Sequence, residues 1–215
     1  MSMRNRSIRR LGFIKVKKNL ILPLILFVTA IAAGACSVLS PPPAFKGAVY
    51  SAPAPPPDFR LPSTRGGDFT LSEQDGTVTL IFFGYTSCPD ICPQTLGLVR
   101  NALNRLEEEE RAEIQLVFVS VDPARDSLPT MSAYLSRFDP SFLGVLPDPE
   151  QLAALVADYD GFVEPEPPDS ETGVYEVSHT SVIYVVDKNG ELRLGFFTGM
   201  DPGDMAADLR VLVNE

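Results

Sequence analysis

The chain has 215 residues, 45% of them hydrophobic, and a formal net charge of −10 at neutral pH. The charge is unevenly spread: seven basic residues and no acid precede Cys36, so the rest of the chain carries 11 basic against 28 acidic residues, a net of −17. So acidic a body excludes nucleic-acid binding, which needs Lys and Arg to neutralise phosphate. Steering of a basic partner stays compatible with it.

Met1–Lys18 is basic, and the sixteen residues Leu20–Ala35 are uncharged and apolar, ending in small side chains. That is the pattern of an export signal, and the run is short for a membrane span. Ala33-Gly34-Ala35-Cys36 resembles the lipidation box of bacterial lipoproteins, in which Cys36 would carry the lipid. An uncleaved anchor and ordinary cleavage after an Ala are the alternatives. All three readings put the domain outside the cytoplasmic membrane and close to it. Residues 1–36 are thus expected to be a signal or anchor. Residues 37–57, with seven prolines from Pro41 to Pro57, are expected to be an extended spacer. Residues 58–215 are about the size of one domain.

Phe59–Leu61 and Asp68–Leu71, around Gly66-Gly67, read as a leading hairpin. Val78–Phe83 is an uncharged, β-branched and aromatic run, the mark of a strand buried on both faces. Gly84 ends it, and a polar loop carries Cys88 and Cys92 into a helix expected over Gln94–Arg111, with Pro93 in its first turn. Glu107–Glu110 would then lie at the helix C-terminus, where acids oppose the dipole, so fraying is expected. A second apolar strand, Ile114–Val121, runs into Asp122-Pro123-Ala124-Arg125-Asp126. Then come a helix from Pro129, a short strand at Phe142–Leu146, a helix over Pro149–Tyr159, and an acidic, proline-containing loop over Val163–Val174. Strands at Val174–Val177 and Ser181–Val186 flank His179, a hairpin turns at Asp187–Gly190, and a last helix is capped by Asp201-Pro202. This order predicts an α/β, thioredoxin-like fold: a mixed sheet flanked by helices, with an N-terminal hairpin.

A strand, a loop and a helix start place both sulfurs near outward-pointing backbone N–H groups, which favours thiolate over thiol. The thiolate is both nucleophile and metal ligand. The spacing is C-x-x-x-C. On an ideal helix, residues four apart have Cβ atoms roughly 5–6 Å from each other, wider than the about 3.5–4.5 Å of a disulfide. Two thiolates bridged by a metal tolerate that opening, and a loop that closes would permit a disulfide. A structural disulfide is the plain alternative in an exported chain. His179 is the only histidine, in the connection entering a strand expected at the sheet centre, facing the cysteine loop. Its plain alternative is a hydrogen-bonded histidine near a strand end. Two thiolates and an imidazole suit copper as Cu(I) or Cu(II), whereas zinc normally adds a fourth protein ligand or water. Asp90 either caps the helix or faces a partner. Asp122 and Asp126 either accept hydrogen bonds near the site or end the strand and cap the next helix. Phe83 and Tyr85 are expected to shield the site, and Met200 and Met205 are read as packing.

Phe83-Gly-Tyr-Thr-Ser-Cys-Pro-Asp-Ile-Cys-Pro93, Ser120-Val-Asp-Pro-Ala-Arg-Asp126 and Ser178-His-Thr-Ser-Val-Ile-Tyr-Val-Val-Asp187 resemble the three blocks of the Sco (SenC/PrrC) family. The resemblance implies a membrane-tethered, thioredoxin-like protein binding copper through Cys88, Cys92 and His179. It also implies delivery of copper to the binuclear copper centre of cytochrome c oxidase, or reduction of that centre's cysteines, with a thiol reductant serving the Cys88–Cys92 pair. Ser178 stands where the family often has Asp, which leaves open what orients the imidazole. On this reading the chain is a metallochaperone with no substrate to turn over. The competing reading is a thiol–disulfide oxidoreductase. A peroxiredoxin-type peroxidase fits badly, because Thr86 lies two residues before Cys88 and no partner arginine stands at the matching place.

Overall fold

The computed structural model describes residues 44–215. Cys36, the export or anchor segment and residues 37–43 of the expected spacer lie outside them. Among the described residues, no helix is long and apolar enough to cross a membrane.

The uncharged runs become two adjacent interior strands of the sheet. β4 (Val78–Gly84) is buried at every position, and β5 (Ile114–Ser120) at all but half-buried Gln115. They pair in parallel from Val78–Ile114 to Gly84–Ser120, so both strands end at the same level. β6 (Leu143–Val145) extends the parallel side, while β9 (Ile183–Val186) and β10 (Leu192–Phe196) continue antiparallel beyond β4. With β1 (Ala48–Val49) at the far edge, the six-stranded order is β1-β10-β9-β4-β5-β6. The leading hairpin is β2 (Arg60–Pro62) and β3 (Asp68–Thr70), and Gly66 and Gly67 turn it with φ of +81° and +68°. Helix α1 (Ile91–Leu103) packs on α5 (Pro202–Val213), and α3 (Leu128–Leu135) packs on β6. α4 (Pro149–Asp158) begins on a capping box in which Asp148 accepts from the Gln151 N–H at 2.8 Å. This is the expected thioredoxin-like mixed sheet with flanking helices.

Three expectations are corrected. The single helix over Gln94–Arg111 is instead α1, beginning three residues earlier, and a short α2 (Glu108–Ala112). The acids explain the break: Glu108, Glu109 and Glu110 sit in the first turn of the new helix, where the dipole favours them. The Glu110 carboxylate accepts the Glu107 N–H at 3.1 Å. Residues 163–174 are not all loop, because β7 (Val163–Pro165) pairs with β8 (Val177–His179) in a separate two-stranded sheet. Finally, residues 44–57 belong to the folded body and not to a free spacer. β1 pairs with β10, Asp208 accepts the Lys46 and Gly47 N–H groups at 2.8–3.0 Å, and Phe45 and Tyr50 pack on the core. Prolines bar interior strands but not an edge strap tied by the residues between them.

Candidate metal centre

Because β4 and β5 end together, the loops leaving them lie side by side at the carboxyl edge of the sheet, the usual place for a site in an α/β fold. The β4 loop, Tyr85–Asp90, delivers Cys88, and the first turn of α1 delivers Cys92. β8 brings His179 from the other side. One ligand atom from each of Cys88, Cys92 and His179 lies within 4.8 Å of the other two. An ion with bonds of about 2.0–2.3 Å to three ligands holds them roughly 3.5–4 Å apart, so side-chain movement of under an ångström would close the triangle. Among the described residues, no other group of His, Cys, Asp and Glu clusters this way.

Both thiols are free and buried, with Cys92 wholly enclosed and Cys88 at 9% exposure. The Cys92 N–H, in the first turn of α1, donates to the Cys88 sulfur at 3.4 Å. The Cys92 side chain gives the largest push on Cys88, followed by backbone N–H groups of Cys92 and Asp90. Together these outweigh burial and bring its pKa from 9.0 down to about 5. Cys92 moves the other way, raised first by its hydrogen bond to Cys88 and then by burial. At neutral pH the pair is a Cys88 thiolate accepting from a Cys92 thiol: one sulfur is already charged, and the second loses its proton only when a cation replaces it.

The imidazole is oriented by its own backbone. Nδ1 lies 2.9 Å from the Thr180 carbonyl oxygen, which can only accept, so Nδ1 carries the proton. Nε2 is left with a lone pair directed at the Cys92 sulfur, 3.6 Å away. The Thr180 carbonyl therefore fills the role that the Ser178 position left open, while the exposed Ser178 donates to Glu166 at 2.7 Å. Phe82 and Tyr85 pack edge-on to the ring, at centroid distances of 6.3 and 5.8 Å. Phe83, expected to shield the site, points to the opposite sheet face and packs on Tyr159 and Tyr184. Successive strand residues alternate faces, and its neighbour Phe82 takes the position.

The three carboxylates have separate places. Asp90 is exposed at the N-cap position of α1 without capping it, and the Gln94 amide bonds to it. Asp126 is buried and accepts from the Thr86 N–H at 3.2 Å, the Thr86 hydroxyl at 2.5 Å and the Ser120 hydroxyl at 2.6 Å. It therefore pins the cysteine loop two residues before Cys88, and α3 is capped by Ser127 instead. Asp122 is buried, pairs with Arg125 and accepts the Tyr175 hydroxyl at 2.9 Å. Met205 is fully buried and Met200 packs on the core. Gly84, read only as a strand end, has a second role. A Cβ there would lie 2.9 Å from the Cys92 sulfur and 2.7 Å from the Phe118 ring, so only glycine lets that sulfur sit against the strand. A glycine ending an otherwise apolar strand is the signal that marks such an approach. Solvent reaches the site through an open cavity of about 310 Å³ lined by Cys88, His179, Asp90, Ile91, Phe162 and Glu176.

A model of the SCO1/SenC family matches residues 50–214. The chain belongs to that family. It is similar to the SCO2-like protein of Rickettsia conorii, 31% identical over 153 residues that make up 71% of this chain and 74% of the relative. Two solved structures are also similar to it. ScoI of Bradyrhizobium japonicum with copper bound is 35% identical with a TM-score of 0.67, covering 74% of this chain and 99% of that one. The apo Sco1 protein of Thermus thermophilus is 33% identical with a TM-score of 0.70, covering 80% and 99%.

Proposed function

We propose that this Sco-family chain is a copper-binding metallochaperone whose ligands are the Cys88 and Cys92 sulfurs and His179 Nε2. The observation that carries the reading is the convergence of those three atoms within 4.8 Å, with the imidazole proton held on the far nitrogen by Thr180. Soft sulfur with one nitrogen accommodates Cu(I) and Cu(II) alike, and a similar protein, ScoI of Bradyrhizobium japonicum, is known with copper bound. Copper is the cargo. It leaves for an acceptor that offers its own thiolates or imidazoles, and the family resemblance points to the copper-site subunit of cytochrome c oxidase. A Cys88–Cys92 disulfide would remove both sulfur ligands, so a thiol reductant must precede loading. On this reading residues 1–36, through Cys36 lipidation or as an uncleaved anchor, hold the domain on the periplasmic side of the membrane. No substrate is turned over.

A second reading, reduction of a target disulfide by the pair, is favoured by one observation: Cys88 has the depressed pKa of an attacking thiol. Replacing His179 with Ala separates the two. Copper affinity should fall at least tenfold under the first reading, whereas disulfide exchange needs only the sulfurs. Copper affinity should also fall as pH drops from neutral, because Cys92 releases its proton on binding, and more steeply below about pH 5, where Cys88 regains its own. Retention unchanged between pH 4 and pH 7 (about a unit either side of that midpoint and beyond) would contradict the assignment.

A further inference from the structure

The imidazole sits on an arm. β7 and β8 pair only with each other, with His179 opposite Val163, and a lone two-stranded hairpin is marginal in water. Apolar packing holds this arm in part: Val177 belongs to the core, and half-buried Val163 and Tyr175 pack against it. Beside that contact a cavity of about 600 Å³ is lined by Val163, Tyr175 and Val177 on the arm and by Val121, Leu152 and Val156 on the body. The attachment beside that gap is polar and aromatic. The Arg125 guanidinium lies 3.6 Å from the centre of the Tyr175 ring and 5.5 Å from that of Tyr85. Its Nη1 donates to the Tyr175 carbonyl at 2.8 Å, and its Nε pairs with Asp122. The Tyr175 hydroxyl donates to the same Asp122 carboxylate at 2.9 Å, and the Val177 N–H donates to the Tyr85 hydroxyl at 3.2 Å.

We propose that Arg125 is a positioning residue for His179: flat against Tyr175 and paired with Asp122, it clasps the arm to the thiol-bearing body. Val177, two residues before the imidazole, is fixed by the same cluster through Tyr85, whose ring in turn packs on His179. The role needs a planar cation. A lysine could pair with Asp122 but could not at once stack on Tyr175 and bond its carbonyl. Arg125 Nη2 is buried with no hydrogen-bond partner among the described residues, so the cation is held there at some cost. The purpose given to the clasp rests on the metallochaperone reading, but its existence is testable without metal.

The test is amide hydrogen exchange on the reduced, metal-free protein, which reads local opening, in Arg125→Met, Arg125→Lys and Tyr175→Leu. Losing the stack and its bonds should speed exchange at Val177 and His179 about tenfold, with β4 and β5 unchanged and Arg125→Lys behaving like Arg125→Met. After Cu(II) addition, the nitrogen splitting in the paramagnetic resonance spectrum and the sulfur charge-transfer band should both weaken in these variants, short of the loss expected for His179→Ala. Arm exchange equal to wild type in both Arg125→Met and Tyr175→Leu would overturn the clasp. Wild-type exchange in Arg125→Lys would overturn the need for a planar cation. If Arg125→Met also opens β4, Tyr175→Leu decides, because its ring lies on the arm and outside the sheet. A wild-type protein that takes up no copper while the variants exchange as expected would defeat the function and leave the clasp supported.

Discussion

The opposed pKa values of the two thiols make a sharp prediction about pH. Cys88 should react as a thiolate with a midpoint near pH 5 instead of 9.0. At pH 7 an ordinary thiol is about 1% ionised and Cys88 about 99%. A thiolate whose pKa is four units lower is, however, roughly 40–100 times less nucleophilic. The two factors nearly cancel, so the rate at pH 7 distinguishes nothing and the shape of the profile carries the result. Initial rates with dithiodipyridine should fall as pH drops through about 5 and should be flat from about pH 6 to 8. In Cys92→Ala the midpoint should move upward, because the Cys92 side chain is the largest contribution to the depression. Stability is linked to the same proton. A depressed pKa favours the native state fully above the unfolded value of about 9, and the contribution is lost as pH falls toward 5. Cys92, shifted upward, changes its contribution only above that unfolded value. Across pH 5–9, a window set by the Cys88 shift, its contribution to the stability of the reduced protein should therefore rise with pH. A rate that climbs tenfold per pH unit from 6 to 8, as for an ordinary thiol, would refute the account of a hydrogen-bonded Cys88 thiolate.

Gly84→Ala should cost about 1–3 kcal/mol, because Cys92 and Phe118 must both give way. For a domain of this size the melting temperature should fall by roughly 2–10 °C, and copper affinity should fall with it. An unchanged melt would show that the sulfur has room. Asp126→Ala strips Thr86 and Ser120 of their acceptor and should destabilise by about 1–3 kcal/mol in denaturant titration. Cysteine-loop amides should then exchange before those of β5. Asp208→Ala releases the Lys46 and Gly47 N–H groups. Limited proteolysis should then cut within residues 44–57 much faster than in wild type, and equal rates would show that β1 pairing alone holds the strap.

Much of the site was legible in the sequence because its signals are local. An uncharged strand, a C-x-x-x-C loop, a proline in the first helical turn and a single histidine before a second apolar strand each carry their own physical reason. What escaped depends on partners distant in the chain. Four consecutive glutamates look the same at the end of one helix as at the start of another, and Glu110 becomes a first-turn acid only because the chain turns at residues 104–107. Phe82 and Phe83 are equally apolar, and the face each takes was not evident before β4 found its register with β5 and β9. The strap of residues 44–57 depends on Asp208, more than 150 positions away. Asp122 and Asp126 were recognisable as a pair, but their division of labour is set by Thr86 on one side and Tyr175 on the other.

The central claim is that His179 Nε2 completes a three-atom copper site with the two sulfurs, and one comparison tests it most directly. Wild-type protein and His179→Ala, both reduced, are each given one equivalent of Cu(II), and their visible absorption and paramagnetic resonance spectra are recorded. The account predicts an intense sulfur-to-copper charge-transfer band with nitrogen splitting in the wild type, and loss of both in the variant at the same copper concentration. Identical spectra from the two proteins would contradict it and leave the imidazole a bystander beside a reactive thiol pair.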